Sequence, residues 1–316
     1  MTGIAALRAG ARSAPAEAES GWIFDLQRFA VHDGPGIRSL LFVKGCPLRC
    51  PWCANPESQA SAPELLLDAE RCVACGGCAR ACENGAVSQA NGALRFLRER
   101  CLACGRCAET CGAEARVRAG RSIAADAAVA ELLRDELFFQ NSGGGVTLGG
   151  GEPLAQPAFA AAVLRRCRER AIHTAVETCG QVPWESVEAI LPWTSLFLFD
   201  LKHIDAVRHR EATGGDLAAI LATLDRLAGR APVIVRIPVI PGFNDAPETI
   251  GAIGARAARA GVREIHLLPY HSLAESKYRR LGRTYPFGGR LPIPPDRLEA
   301  MRATLAAAGL AVAVGG

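Results

Sequence analysis

A chain of 316 residues with 49% hydrophobic and 22% charged side chains can bury a sizeable core, as two domains or as one barrel carrying an insertion. A net charge of only +4 offers no basic surface for nucleic acid, and no apolar run approaches the ~20 residues that cross a bilayer, so neither partner is expected. Eleven of the 13 cysteines fall in three tight runs, which excludes a disulfide-stapled secreted domain and points to a reducing, oxygen-poor cytoplasm.

The first 20 residues are rich in Ala and Arg, include Glu17 and Glu19, and lack the apolar stretch of a secretory signal; a disordered tail is expected over 1–20. The first strand is expected over Arg38–Lys44, and Cys46, Cys50 and Cys53 follow it directly. A [4Fe-4S] cube takes one soft ligand per iron, so three thiolates crowded into eight residues leave one iron open to another ligand.

Cys72, Cys75, Cys78 and Cys82 come next, and Cys101, Cys104, Cys107 and Cys111 repeat their spacing. That spacing resembles bacterial two-cluster ferredoxins, in which the fourth cysteine of each run ligates the other cluster. The resemblance implies one cube on Cys72, Cys75, Cys78 and Cys111, and another on Cys101, Cys104, Cys107 and Cys82. Paired Cys-x2-Cys units also make zinc sites, but eight cysteines in two identical runs suit zinc poorly. Cys167 and Cys179 are read as small buried apolar residues.

Beyond the cysteine runs, helix-like stretches over 124–139, 158–170, 184–191, 217–228 and 249–260 alternate with short apolar strands. The strands are expected over 145–148, 173–177, 196–201, 233–240 and 264–268. The rhythm predicts an α/β fold, a partial (βα)6 TIM-like barrel over residues 21–61 and 121–316. Residues 62–120 interrupt it as an inserted ferredoxin-like domain. In parallel barrels the chemistry sits at the C-terminal strand ends. Those positions here carry Gly150-Gly151-Glu152, Glu177-Thr178, Asp200-Leu201-Lys202 and His271, and Arg236 lies inside an apolar strand where it needs a partner.

The three-cysteine loop, with Trp52 before its last cysteine, resembles the signature of radical S-adenosylmethionine enzymes. The ordered set His-Asp-Gly-Pro-Gly-Ile-Arg38, the cysteine loop, Ser-Gly-Gly-Gly-Val-Thr147, Gly-Gly-Glu-Pro153, Asp-Leu-Lys202, Arg236-Ile-Pro-Val-Ile-Pro-Gly and Pro-Tyr-His271 is similar to the glycyl-radical-enzyme activating family. The match runs from about Ile23 to the C-terminus. The ferredoxin-type runs place the chain with a subgroup to which pyruvate formate-lyase's own activase does not belong.

The resemblance implies three [4Fe-4S] clusters and S-adenosylmethionine. Cys46, Cys50 and Cys53 would hold the catalytic cube, with Trp52, Cys53 and Ala54 along the adenosine. Gly150, Gly151 and Glu152 would bind the methionine end, with Arg236 near its carboxylate. Asp200, Leu201, Lys202 and His271 would meet S-adenosylmethionine or an entering peptide, Asp200 and Lys202 being the catalytic pair. Glu177-Thr178 occupies the place of a monovalent-cation site, and relatives often have Ser at Gly149, a change expected to cost little.

The implied reaction is reductive cleavage of S-adenosylmethionine to a 5′-deoxyadenosyl radical, which takes hydrogen from a glycine of a partner glycyl radical enzyme. A flavodoxin or ferredoxin would supply the electron to a monomeric activase. A peptide-modifying or sulfatase-maturing radical enzyme is the rival enzymatic reading, against which stands the lack of cysteines after Cys179. A ferredoxin-like electron carrier is the non-enzymatic one.

Overall fold

The computed structural model describes residues 19–91 and 93–315. Its main sheet has nine strands, β1 (Ser20–Ala30), β2 (Arg38–Val43), β7 (Arg121–Ala124), β8 (Gly145–Gly150), β9 (His173–Thr178), β10 (Leu196–Asp200), β11 (Val233–Val239), β12 (Glu264–Pro269) and β13 (Ala311–Val314). The spatial order is β13-β12-β11-β10-β9-β8-β2-β1-β7. From β2 to β13 every neighbouring pair is parallel, whereas β1 runs antiparallel to β2 and β7. The sheet stays open, with β7 and β13 as its edges.

All six expected strands form, and β13 adds a seventh parallel one. Of the tail expected over 1–20, only Glu19 and Ser20 lie among the described residues, and both are tied down. Glu19 pairs with Arg165 and Arg166, and Ser20 opens β1. The helix expected over 124–139 is divided into 125–132 and 136–142 by a 3-10 turn at 133–135. Asp135 is fully buried there, accepting from Arg28 Nε and from Ser39 Oγ at 2.7 Å, which ties this turn to β1 and β2. Among the described residues no helix is long and apolar enough to cross a membrane.

Strand alternation decides which residues meet the helices and which meet the barrel interior. Val176, Phe197, Phe199, Leu201, Val235 and Ile237 face the helices in the main core, where each such side chain contributes roughly 1.5–3 kcal/mol. Ala175, Leu198 and Ile234 form a separate cluster on the opposite face. Two residues further along, that same face presents Glu177, Asp200 and Arg236. The parity that buries Leu201 thus turns Asp200 and Lys202 inward.

Residues 64–119 leave the barrel after β2. They carry β3 (Glu64–Leu67), β4 (Val87–Ala90), β5 (Ala93–Phe96) and β6 (Arg116–Ala119), paired as β3-β6 and β4-β5. Two one-turn helices, 77–80 and 106–109, lie 29 residues apart like the cysteine runs. The backbone repeats with them: φ is positive at Ala74 and Ala103, at Gly76 and Gly105, and at Gly85 and Glu114. Cys82 and Cys111 each donate their N–H to the carbonyl three residues earlier, Ala79 and Ala108.

Helix 275–280 and the loop after it clamp this insert to the barrel. Arg279, Arg280 and Arg283 face Glu70, Asp68 and Glu64 at 3.3, 3.8 and 2.6 Å, and Leu281 packs with Leu66 and Ala119. The same helix reaches the cysteine loop. Lys277 lies 2.6 Å from Glu57 and 2.7 Å from Asn55, and Tyr278 Oη donates to the Cys50 carbonyl.

Candidate active site

A cavity of about 460 Å³ lies at the C-terminal ends of the parallel strands. It is lined by Cys46, Cys50, Trp52, Cys53 and Ala54 after β2, and by Gly150 and Gly151 at the end of β8. Glu177, Asp200, Lys202, Arg236 and His271 complete it from the next four strands. Of the expected binding residues, only Glu152 and Leu201 are absent from the lining.

Backbone packing explains why two glycines stand beside the cysteine loop. Gly151 N donates to Val43 O at 2.9 Å, and Glu152 N donates to Gly45 O at 2.8 Å. A Cβ on Gly151 would meet Gly45 O at 2.4 Å; Gly150 has φ +104, and its Cβ would meet Val43 N at 2.8 Å. The glycines therefore let the two loops touch main chain to main chain. Gly149 is also constrained, since a Cβ there would lie 2.3 Å from the Glu177 carboxylate. Serine at this position requires the carboxylate end of the Glu177 side chain to shift.

Glu152 braces the site from behind. Its fully buried carboxylate accepts from Leu154 N at 3.1 Å, Thr178 Oγ1 at 3.0 Å and Cys179 N at 2.8 Å. Burial raises its pKa and these donors oppose the rise. Glu152→Ala strands three donors in the interior, and an expected stability loss of about 3 kcal/mol is read by urea unfolding. A loss below ~1 kcal/mol would show that the carboxylate is not a brace.

Arg236 is already partnered by the protein. Its Nη1 lies 2.7 Å from Glu177 and 3.7 Å from Asp33, and its Nε donates to Asp200 at 3.1 Å. Asp200 also accepts from Lys202 Nζ at 3.0 Å. Burial alone would lower the pKa of both cations, but the facing carboxylates outweigh it and raise them. Burial opposes ionisation of Asp200 as well, yet Lys202 and Arg236 hold its pKa below the ordinary carboxylate value. Glu177 is pushed up to about 7 by burial, despite Arg236. The result is a fixed strip of alternating charge on the cavity wall. The groups assigned to a monovalent cation are engaged within it, Glu177 by Arg236 and Thr178 by Glu152.

Sequence reasoning missed several residues of the site. Asp33 reaches the cavity because Arg38, fully buried, donates to Thr147 Oγ1 at 2.6 Å and to Pro35 O at 3.0 Å, and Thr147 donates to Asp33 O at 2.8 Å. The signal was the His-Asp-Gly-Pro-Gly-Ile-Arg38 run. Phe243 packs on Trp52 at 4.6 Å with the rings tilted by 40°, and Phe287 meets Trp52 edge-on at 5.9 Å, so the indole is held from two sides. Cys167 and Cys179 are both buried among apolar side chains as expected, and Cys179 lines the cavity as well. His271 stands exposed at the rim.

The three loop thiols fit an iron–sulfur cluster by donor chemistry. Burial pushes Cys50 up to about 12 and Cys53 up to about 11, so as free thiols both keep their protons. A metal that binds thiolate displaces those protons and matches this soft set. No three His, Cys, Asp or Glu among the described residues are placed to hold a metal ion; the thiols border a cavity instead of converging on one point. In the insert, Cys72, Cys75, Cys78 and Cys111 line one cavity of about 300 Å³. Cys82, Cys101, Cys104 and Cys107 line a smaller one of about 20 Å³. Each groups three cysteines of one run with the fourth of the other.

Residues 40–252 match the radical SAM superfamily. The chain is 42% identical to the isethionate sulfite-lyase activating enzyme of Nitratidesulfovibrio vulgaris, over 85% of this chain and 90% of that protein. It is 43% identical to the (2S)-3-sulfopropanediol sulfolyase activating enzyme of Bilophila wadsworthia, over 86% and 92%. It is 42% identical to the benzylsuccinate synthase activating enzyme of Thauera aromatica, over 93% and 92%. In fold alone it is similar to peptide-bound SuiB of Streptococcus suis, 13% identical, covering 86% of this chain and 46% of SuiB with a TM-score of 0.51.

Proposed function

From the premise that this chain belongs to the radical S-adenosylmethionine superfamily, among the activating enzymes of glycyl radical enzymes, we propose that Cys46, Cys50 and Cys53 hold its catalytic [4Fe-4S] cluster. The reaction is cleavage of S-adenosylmethionine to generate a radical on a partner enzyme. The observation that carries the site assignment is that three thiols, a glycine strand end and the Asp200–Lys202–Arg236 strip line one cavity. The cluster held there would supply the electron for reductive cleavage of S-adenosylmethionine.

The chain's own residues position and shield. Trp52, fixed by Phe243, and the exposed Ala54 border the place of the adenosine. Gly150 and Gly151 offer backbone to the methionine end, while Glu152 keeps that loop in place from behind. Asp200 and Lys202 present paired charge to the zwitterionic ligand and to the entering glycine loop. Arg236 acts by holding Glu177 and Asp200, and Leu201 acts only as core. His271 stands at the rim where the partner's peptide enters.

Activators named for three different enzymes resemble this chain at 42, 43 and 42% identity. Choice of partner therefore belongs to the surface around the mouth, the shared chemistry being common to all. The insert is read as a two-cluster ferredoxin-like domain that receives electrons from a flavodoxin or ferredoxin; its clamping to the cysteine loop through helix 275–280 supports a fixed electron path.

Anaerobic reconstitution, reduction and addition of S-adenosylmethionine test the reading. About twelve irons per chain, four per cube, are expected, with 5′-deoxyadenosine released. Full iron without cleavage, even with a glycyl radical partner present, would sink it. Cys75→Ala is expected to remove about four irons and slow cleavage driven by a protein donor, while dithionite-driven cleavage persists. Equal rates with the protein donor would take the insert off the electron path.

A further inference from the structure

We propose that Arg116 is the counter-charge of the cluster held by Cys72, Cys75, Cys78 and Cys111, and that it sets that cluster's reduction potential above its twin's. The inference rests on the two-cluster reading of the insert.

The internal repeat exposes the asymmetry. The 29-residue offset that superposes the two cysteine runs also superposes Val87, the first residue of β4, on Arg116, the first residue of β6. Val87 lines the cavity of Cys82, Cys101, Cys104 and Cys107. Arg116 lines the cavity of Cys72, Cys75, Cys78 and Cys111. One half of the insert has an aliphatic side chain where the other has a guanidinium.

Arg116 is only 7% exposed, its Nη1 has no hydrogen-bond partner, and it makes no ion pair among the described residues. Its one aromatic contact is the Phe96 ring, at 5.9 Å. A buried cation without an anion costs several kcal/mol, and valine is tolerated at the equivalent place, so the charge needs a reason. A cube ligated by four thiolates is an anion, and it gains a further negative charge on reduction. A fixed cation beside it stabilises the reduced form more, and net charge and hydrogen bonds to sulfur are what set such potentials.

The other half holds a cation of a different kind. Arg106 lies beside Cys104, but it is exposed and paired with Glu83, so water and the carboxylate screen it. Reducing equivalents entering the insert would therefore collect on the cluster beside Arg116.

The test is a redox titration followed by electron paramagnetic resonance on the full chain, reconstituted anaerobically, for wild type, Arg116→Gln and Arg116→Lys. The catalytic cluster is identified as the signal that changes on adding S-adenosylmethionine. The other two couples should differ in wild type. In Arg116→Gln the higher one should fall by a factor of ten or more in its reduction equilibrium, about 59 mV for one electron; Arg116→Lys should hold it. Loss of about four irons in Arg116→Gln alone, with the other signals intact, would support the same role through assembly. Full iron with unmoved couples, or equal displacement of both, would overturn it. A wild-type chain holding only about four irons would instead defeat the two-cluster reading itself.

Discussion

Cys50→Ala abolishes 5′-deoxyadenosine formation and lowers iron from about twelve to about eight per chain, with the insert clusters intact. This is the largest effect expected of any single change. Cys50 is buried at 8% exposure, and its carbonyl takes the Tyr278 hydroxyl, so neither chain movement nor a neighbouring side chain can restore a third ligand at its corner. Cys179 is another thiol on the same cavity, but it is placed against Cys46, at a different ligand position. The fold itself should survive, because removing a thiol from this small cluster of aromatic residues takes away little apolar area. Iron analysis, circular dichroism and product chromatography on one preparation separate the possibilities. Retained cleavage would reassign the catalytic cluster. Loss of all iron together with the fold would mean that the catalytic cluster nucleates the barrel.

The parallel strands were legible because buried strands are short apolar runs that end at turn signals, as Leu196–Asp200 and Val233–Val239 do. β1 was not, since Ser-Gly-Trp-Ile-Phe-Asp-Leu-Gln-Arg-Phe-Ala mixes both faces, and one of its two antiparallel neighbours, β7, is remote in sequence. β13 hides in Ala-Val-Ala-Val, which reads equally well as the end of the preceding helix. At the site, the residues that spacing could reveal were the cysteines, the glycines and Asp200–Lys202. Asp33, Phe243 and the brace role of Glu152 depend on which loops touch across the barrel, and one-dimensional pattern carries no such information. Arg236 shows the difference well: sequence demanded a partner for it, and the fold supplies three carboxylates from separate segments.

Those carboxylates make Arg236→Ala a stability lesion before it is a binding one. Glu177 loses the one cation it pairs with among the described residues, whereas Asp200 keeps Lys202. Removing one partner of a buried pair costs about 3–5 kcal/mol, and the lower end is expected because Glu177 retains 16% exposure. The pH dependence gives the mechanism away. Glu177 has a folded pKa of about 7, above the ~4.3 of an unfolded glutamate, so folding takes up a proton between those values. The contribution of Glu177 is thus fully present below ~4.3 and is lost as pH rises through the folded pKa. Without Arg236 the folded pKa rises further, so the gap between variant and wild type should narrow at acid pH and widen above 7. Urea unfolding across that range reads it, and Glu177→Gln in the Arg236→Ala background should recover most of the loss at neutral pH. A variant with wild-type stability at every pH, yet weakened S-adenosylmethionine binding, would instead make Arg236 a direct ligand of the substrate carboxylate. The paired geometry argues for the first outcome, because a guanidinium already facing three carboxylates, two of them at 2.7 and 3.1 Å, has less to offer another.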